Sequence, residues 1–236
     1  MREYKECYIA FLDLLGFKNT VNNEACETIA SFFDEIQHEY IVTVNETGLP
    51  LMDYSKITRK VMSDTICFYV DATVKNALAG LVSVCDYFQV RMLRLSKPIL
   101  VRGAIVRDQI YAHGDVTFGP GVSKAYLLEE KTAKYPRVIF TKSLFDNSSE
   151  SDVEGRKYLS EYTFHDDDGF CAVDYLYLFY GLDHENARWK DFARSVQKAL
   201  DSETDTSIRE KYLYIDKNIA RMRKKYNPIK SESIHA

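Results

Sequence analysis

Apolar and polar positions change period along this chain, and the changes divide it into elements. The stretch "CYIAFLDLLGFKN" opens with six apolar residues, Cys7–Leu12, which reads as a buried strand ending at Asp13. In "NEACETIASFFDEIQHEYIVTVNE" the apolar positions 25, 29, 32, 33, 36 and 40 recur in steps of three and four. Such steps lie on one helix face. After "TGLP" come two short β-prone runs, Ile57–Met62 and Thr65–Val70, around Ser63-Asp64; this spacing predicts a tight hairpin with Asp64 at its tip. Residues 73–95 return to helical spacing, with Leu78, Leu81, Val82, Cys85 and Phe88 on one face.

Further along, "KPILVRGAIVRDQIYA" reads as a strand pair entered at Pro98, "GPGVSKAYLLEEKTAK" as a glycine-rich loop leading into a helix, and "PRVIFT" as a strand. The order strand, helix, hairpin, helix, strand is that of a ferredoxin-like βαββαβ unit, an α+β fold whose antiparallel sheet carries its helices on one face. Residues 1–147 are expected to form this core. Residues 148–236 are expected to form a C-terminal strand and helical extension packed on it: the acidic turn "HDDDG", the apolar run "FCAVDYLYLFYGL", and helices over 185–200 and 206–226. That apolar run suits an internal strand or a subunit interface equally.

Composition narrows the function classes. The chain has 236 residues, 46% apolar and 28% charged, with a net charge of −4. This is the balance of a soluble globular domain, and it gives no electrostatic reason to expect nucleic acid or an anionic membrane as partner. No apolar run reaches the roughly 20 residues of a membrane span, and "MREYKECYIAF" lacks the h-region of a signal peptide. A cytoplasmic location is expected. The five cysteines, at 7, 26, 67, 85 and 171, include no CxxC pair, so a disulfide frame or zinc site is not indicated. The five histidines are scattered as well. Any metal here would be held by oxygen.

A carboxylate at the lip of a core strand needs a partner: a turn, a basic side chain or a cation. The predicted topology brings Asp13 and Asp64 to one edge of the sheet. Two close carboxylates repel unless a cation neutralises them, and Mg²⁺ or Mn²⁺ with nucleotide phosphates would do so. Taken singly, each reads as a turn aspartate.

These residues carry a resemblance. "FLDLLGF" resembles the "FxDIxGF" motif of class III nucleotide cyclases, and "KVMSDTICFYV" their "KTIGDAYMAV" hairpin. More weakly, "VRGAIVRDQIYAHGDVTFGPGVSKAYLLEE" is similar to the segment carrying "GDxVNxAxRLE". The likeness spans roughly residues 7–142. The short N-terminal lead, the "FLDLLGFK" wording and the helical extension resemble most the bacterial pyrimidine cyclases of Pycsar anti-phage defence, which make cyclic UMP or cyclic CMP.

The resemblance implies two divalent ions, Mn²⁺ or Mg²⁺, on Asp13 and Asp64, with the backbone carbonyl of Leu14 as a further ligand. It places Gly16 and Phe17 in the turn that holds the triphosphate. It also implies a homodimer with sites at the interface and a nucleoside triphosphate as substrate, UTP before CTP. Lys60 falls where adenylyl cyclases select the base, and Tyr54, just upstream, is a candidate to fill and stack in a pyrimidine pocket. The transition-state asparagine and arginine of the purine cyclases fall at Ser123 and Leu127, a departure, since leucine cannot neutralise phosphate charge. Arg102 is the best replacement, with Lys124 and Arg107 behind it; Arg102 could equally be a structural ion-pair residue. Two alternatives stay open: a polymerase-palm or diguanylate-cyclase relative, although no "GGDEF" occurs, and a nucleotide-binding module without catalysis. A purine cyclase of the same fold is a further one.

Overall fold

The computed structural model describes residues 3–31, 33–34, 51–95, 98–147, 152–183 and 187–226. The chain divides into two compact units, Met1–Val173 and Asp174–Ala236.

In the first unit, β1 (Lys5–Leu14) is followed by α1 (Phe17–Asn23), the hairpin β2 (Thr58–Met62) and β3 (Thr65–Asp71), and α2 (Ala77–Arg94). Then come β4 (Val101–His113), β5 (Val116–Phe118), α3 (Pro120–Thr132), β6 (Val138–Thr141), α4 (Lys142–Asp146), α5 (Val153–Tyr162), β7 (Thr163–His165) and β8 (Phe170–Val173). The sheet order is β2-β3-β1-β4-β6-β8-β7, with β5 paired to β4. Only β4 and β6 run parallel among these pairs. The first four strands reproduce the expected ferredoxin-like order, and the sheet continues past residue 147 into β8 and β7. The helix expected from position 25 onward is helical at 26–31, and its later part lies outside the described residues.

Side chains on β1 alternate between two cores. Tyr8, Ala10, Leu12 and Leu14 join Ile66, Phe68, Leu78, Leu81, Cys85 and Phe88. Phe17 and Ile29 belong to the same cluster, so the helices of the βαββαβ unit do share one face. Cys7 and Ile9 instead join Cys67, Val106, Ile110 and Ala125. The other face is therefore covered by α3, a departure from the one-sided expectation.

A second departure concerns β4. The segment expected to be a strand pair is one 13-residue strand, because β1 holds it in unbroken register from Lys5↔Ile110 to Leu14↔Val101. Gly103 lies within the paired stretch, opposite Leu12. Its glycine answers a close approach, since a Cβ would come within 2.5 Å of Leu12 Cδ2 and 2.6 Å of the Phe11 carbonyl.

The second unit holds α6 (Tyr175–Asp183), which was not expected, and α7 (Ala187–Ser202) and α8 (Thr206–Tyr226), close to the two expected helices. The run "FCAVDYLYLFYGL" is not one strand. It breaks at Asp174, whose fully buried carboxylate is held by Arg221 at 2.6 Å and Lys225 at 3.2 Å. Among the described residues, no helix is long and apolar enough to cross a membrane.

Candidate active site

The end of β1 and the tip of the β2–β3 hairpin meet at one edge, as their lengths require. Asp13 pairs in register with Thr65 on β3 and with Arg102 on β4. The Leu14 N–H donates to the Asp64 carbonyl at 3.0 Å, and the Leu15 N–H to the Leu100 carbonyl at 2.9 Å. Ser63, with φ of 56°, takes the left-handed conformation of the turn, a strained choice for serine that sets Asp64 at the tip. Asp13 and Asp64 are both half-buried.

Asp13 does not stand alone. Arg102 Nε donates to Asp13 Oδ2 at 2.8 Å, and Glu129 Oε1 lies 2.8 Å from the same nitrogen. Glu129 falls on the closing glutamate of the segment likened to "GDxVNxAxRLE", but no site role was assigned to it from the sequence. It comes from α3, one turn after the buried Ala125, and its side chain is 4% exposed. The spacing was the available signal: Val122, Ala125 and Glu129 fall on one helix face. Burial, offset in part by Arg102 and reinforced by the charges of Asp13, Glu130 and Asp64, pushes the Glu129 carboxyl up to about 7.

The other expected residues sort clearly. Leu14 and Phe17 bury their side chains, leaving only backbone groups to offer. Gly16 sits in the following turn with φ of +84° and nothing within 4 Å of a built Cβ; the turn, not crowding, requires glycine there. Lys60 pairs with Cys67 and so shares the face of Asp13, and its ammonium donates to the Gly114 carbonyl at 2.7 Å. The β4–β5 turn thus comes back over Lys60, beside a cleft of about 680 Å³ lined by Lys56, Thr58, Tyr69 and Asp71.

Tyr54 is not brought to this face. Its ring packs on the α2 side of the sheet, and its hydroxyl lies 2.9 Å from Ser83 Oγ. Lys124 is engaged by Asp108 at 3.0 Å and Arg107 by Glu6 at 2.9 Å. Ser123 and Leu127 lie on the exposed side of α3.

Two aspartates with only oxygen donors suit a hard divalent cation. Among the described residues no group of three or more His, Cys, Asp or Glu side chains is placed to hold a metal. The donor set therefore fits an ion shared with phosphate oxygens, as Mg²⁺ commonly is, rather than a closed protein cage.

No protein-family model and no curated protein matches the sequence. Solved structures do. The chain is similar to the guanylyl cyclase domain of the RhoGC fusion protein from Blastocladiella emersonii, at 12% identity, covering 72% of this chain and 95% of that one, TM-score 0.51. It is similar to the guanylate cyclase domain of RhGC from Catenaria anguillulae in complex with GTP, at 12% identity over 73% of this chain and 98% of that one, TM-score 0.52. The adenylyl cyclase CyaB from P. aeruginosa matches at 12% identity over 73% and 95%, TM-score 0.50. At these identities the likeness is one of fold. The first unit has the catalytic-domain fold of class III nucleotide cyclases.

Proposed function

We propose that the protein is a nucleotide cyclase that converts a pyrimidine nucleoside triphosphate, UTP before CTP, into its 3′,5′-cyclic monophosphate and pyrophosphate. One observation carries the reading: on this fold, Asp13 and Asp64 stand at the joined ends of β1 and the β2–β3 hairpin. Pyrimidine choice, and a second-messenger role in anti-phage defence, rest on the wording of "FLDLLGFK" and its neighbours. A purine cyclase is the second reading, because the similar structures are guanylyl and adenylyl cyclases.

In the reaction the ribose 3′-hydroxyl gives its proton to water or Asp13, its oxygen bonds to the α-phosphorus, and the bond from that phosphorus to the bridging oxygen breaks, releasing pyrophosphate. Two divalent ions, Mn²⁺ or Mg²⁺, would be held by Asp13, Asp64 and the Leu14 carbonyl, and when bound supply Lewis acidity at the phosphates and the 3′-hydroxyl. The turn at Gly16 and Phe17 presents its backbone N–H groups to the triphosphate. Arg102, bonded to Asp13 through Nε, stands at the same edge, and its guanidinium adds positive charge where phosphoryl charge develops. Lys60 contributes to base reading from the same sheet face, and Tyr54 serves packing, its hydroxyl being used on Ser83.

A homodimer with shared sites completes the reading. Val61, Met62, Tyr126 and Leu127 are large apolar residues 42–73% exposed, and their surroundings on the hairpin and α3 support an interface between copies. The experiment is incubation of pure protein with each of the four nucleoside triphosphates and Mn²⁺, with products identified by mass spectrometry. Cyclic UMP or cyclic CMP is expected; cyclic AMP or cyclic GMP alone would favour the second reading, and no cyclic product would defeat both.

A further inference from the structure

Arg102 carries a single Nε–H, and two carboxylates compete for it. The hydrogen points at Asp13 Oδ2. Glu129 Oε1 stands equally close to the nitrogen, at 2.8 Å, yet receives no hydrogen bond from any described residue. A carboxylate oxygen buried and left without a donor is an unfavourable arrangement that native structures avoid unless it has a use. Glu129 cannot relieve it by turning to solvent, because α3 is set tightly on the sheet. Ala125 is fully buried, and a Cβ at Gly121 would lie 2.8 Å from Ile9 Cδ1.

A divalent cation on Asp13 would change this balance. It would compete with the guanidinium for the Asp13 carboxylate and bring a second positive charge beside it. Without another acceptor, Arg102 would be stranded half-buried next to a dication, and it would compete with the cation for Asp13. The acceptor is already in place.

We propose that Glu129 is the receiving carboxylate for Arg102: when a divalent cation occupies Asp13, the Nε–H passes from Asp13 Oδ2 to Glu129 Oε1. Cation uptake then exchanges one ion pair for another and leaves no buried charge unmatched. Glu129 acts through Arg102 and is a positioning residue. The inference rests on the two-aspartate reading given above and adds to it a role for Glu129.

The test is Mn²⁺ binding to the whole protein without nucleotide, read from the loss of the free-ion electron paramagnetic resonance signal. Wild type, Glu129→Gln, Arg102→Gln and the double variant are compared, with circular dichroism to verify folding. Glu129→Gln should raise the Kd for Mn²⁺ about tenfold where Arg102 is present, and by less than about twofold where Arg102 has been replaced. An equal factor in both backgrounds would reduce Glu129 to a general negative charge and overturn the exchange while leaving the metal site standing. Absence of Mn²⁺ binding by the wild type would overturn the two-aspartate reading, and the exchange with it. Should Glu129→Gln not fold, Glu129→Ala in the same two Arg102 backgrounds carries the comparison.

Discussion

The backbone N–H of Leu14 bonds the Asp64 carbonyl at 3.0 Å, so the end of the central strand is fastened to the tip of the neighbouring hairpin. Asp13 thereby sits on a strand and Asp64 in a two-residue turn between paired strands, a placement that holds a site's geometry more tightly than a free loop. Asp13 and Asp64 come together because the β1–β3 register brings Asp13 opposite Thr65, one residue from Asp64.

Tyr54→Phe separates packing from base reading. The hydroxyl bond to Ser83 is lost, so urea denaturation should show a stability decrease of about 0.5–1.5 kcal/mol. The ratio of pyrimidine to purine turnover should stay at the wild-type value. A changed ratio with unchanged stability would return Tyr54 to the base pocket.

Glu129 predicts a pH dependence of stability in metal-free buffer. Its carboxyl ionises near 4.5 ordinarily and at about 7 in the folded protein. Between these values the folded state binds more protons than the unfolded one, so this group makes stability fall as pH rises through that window. Below the window its contribution is level and fully present. Glu129→Gln removes the titration, and its unfolding free energy should vary less between pH 4.5 and 7 than that of the wild type.

The acidic turn "HDDDG" has a structural partner. Arg137, whose side chain is 3% exposed, is held by Asp166 and Asp168, which clamps the β7–β8 connection to the start of β6. Arg137→Ala leaves buried carboxylate charge without its cation, which commonly costs about 3–5 kcal/mol. A shift in the urea midpoint of wild-type-like size after a surface substitution such as Lys157→Ala would be a suitable reference. An Arg137→Ala shift no larger than that reference would count against the clamp.

Much of this was legible in the chain because it depends on local pattern. The Cys7–Leu12 run, the paired runs around Ser63-Asp64 and the apolar stripe of α2 each state their element, and the edge shared by Asp13 and Asp64 follows from the order of elements. What the pattern hides are partners distant in sequence. The helical spacing sets Glu129 on the face of Val122 and Ala125, but its partner Arg102 on β4 is out of reach of any local pattern. The segment "KPILVRGAIVRDQIYA" reads as a strand pair, because its unbroken register with β1 involves residues far away in sequence. The "YLYLFYGL" segment is apolar almost throughout, so its helical period is masked, and the break at Asp174 depends on Arg221 far along the chain.

The central claim is that Asp13 and Asp64 form the cation-dependent centre of a nucleotide cyclase. Its most direct test is turnover of nucleoside triphosphate to cyclic nucleotide by wild type, Asp13→Asn and Asp64→Asn, across a Mn²⁺ titration and with EDTA. Each substitution keeps side-chain shape and removes a ligand charge, so both variants should keep the wild-type circular dichroism spectrum. Turnover should depend on Mn²⁺ in the wild type, vanish with EDTA, and fall by at least about a hundredfold in each variant. Wild-type turnover in either folded variant, or activity that survives complete removal of divalent cations, would contradict the account.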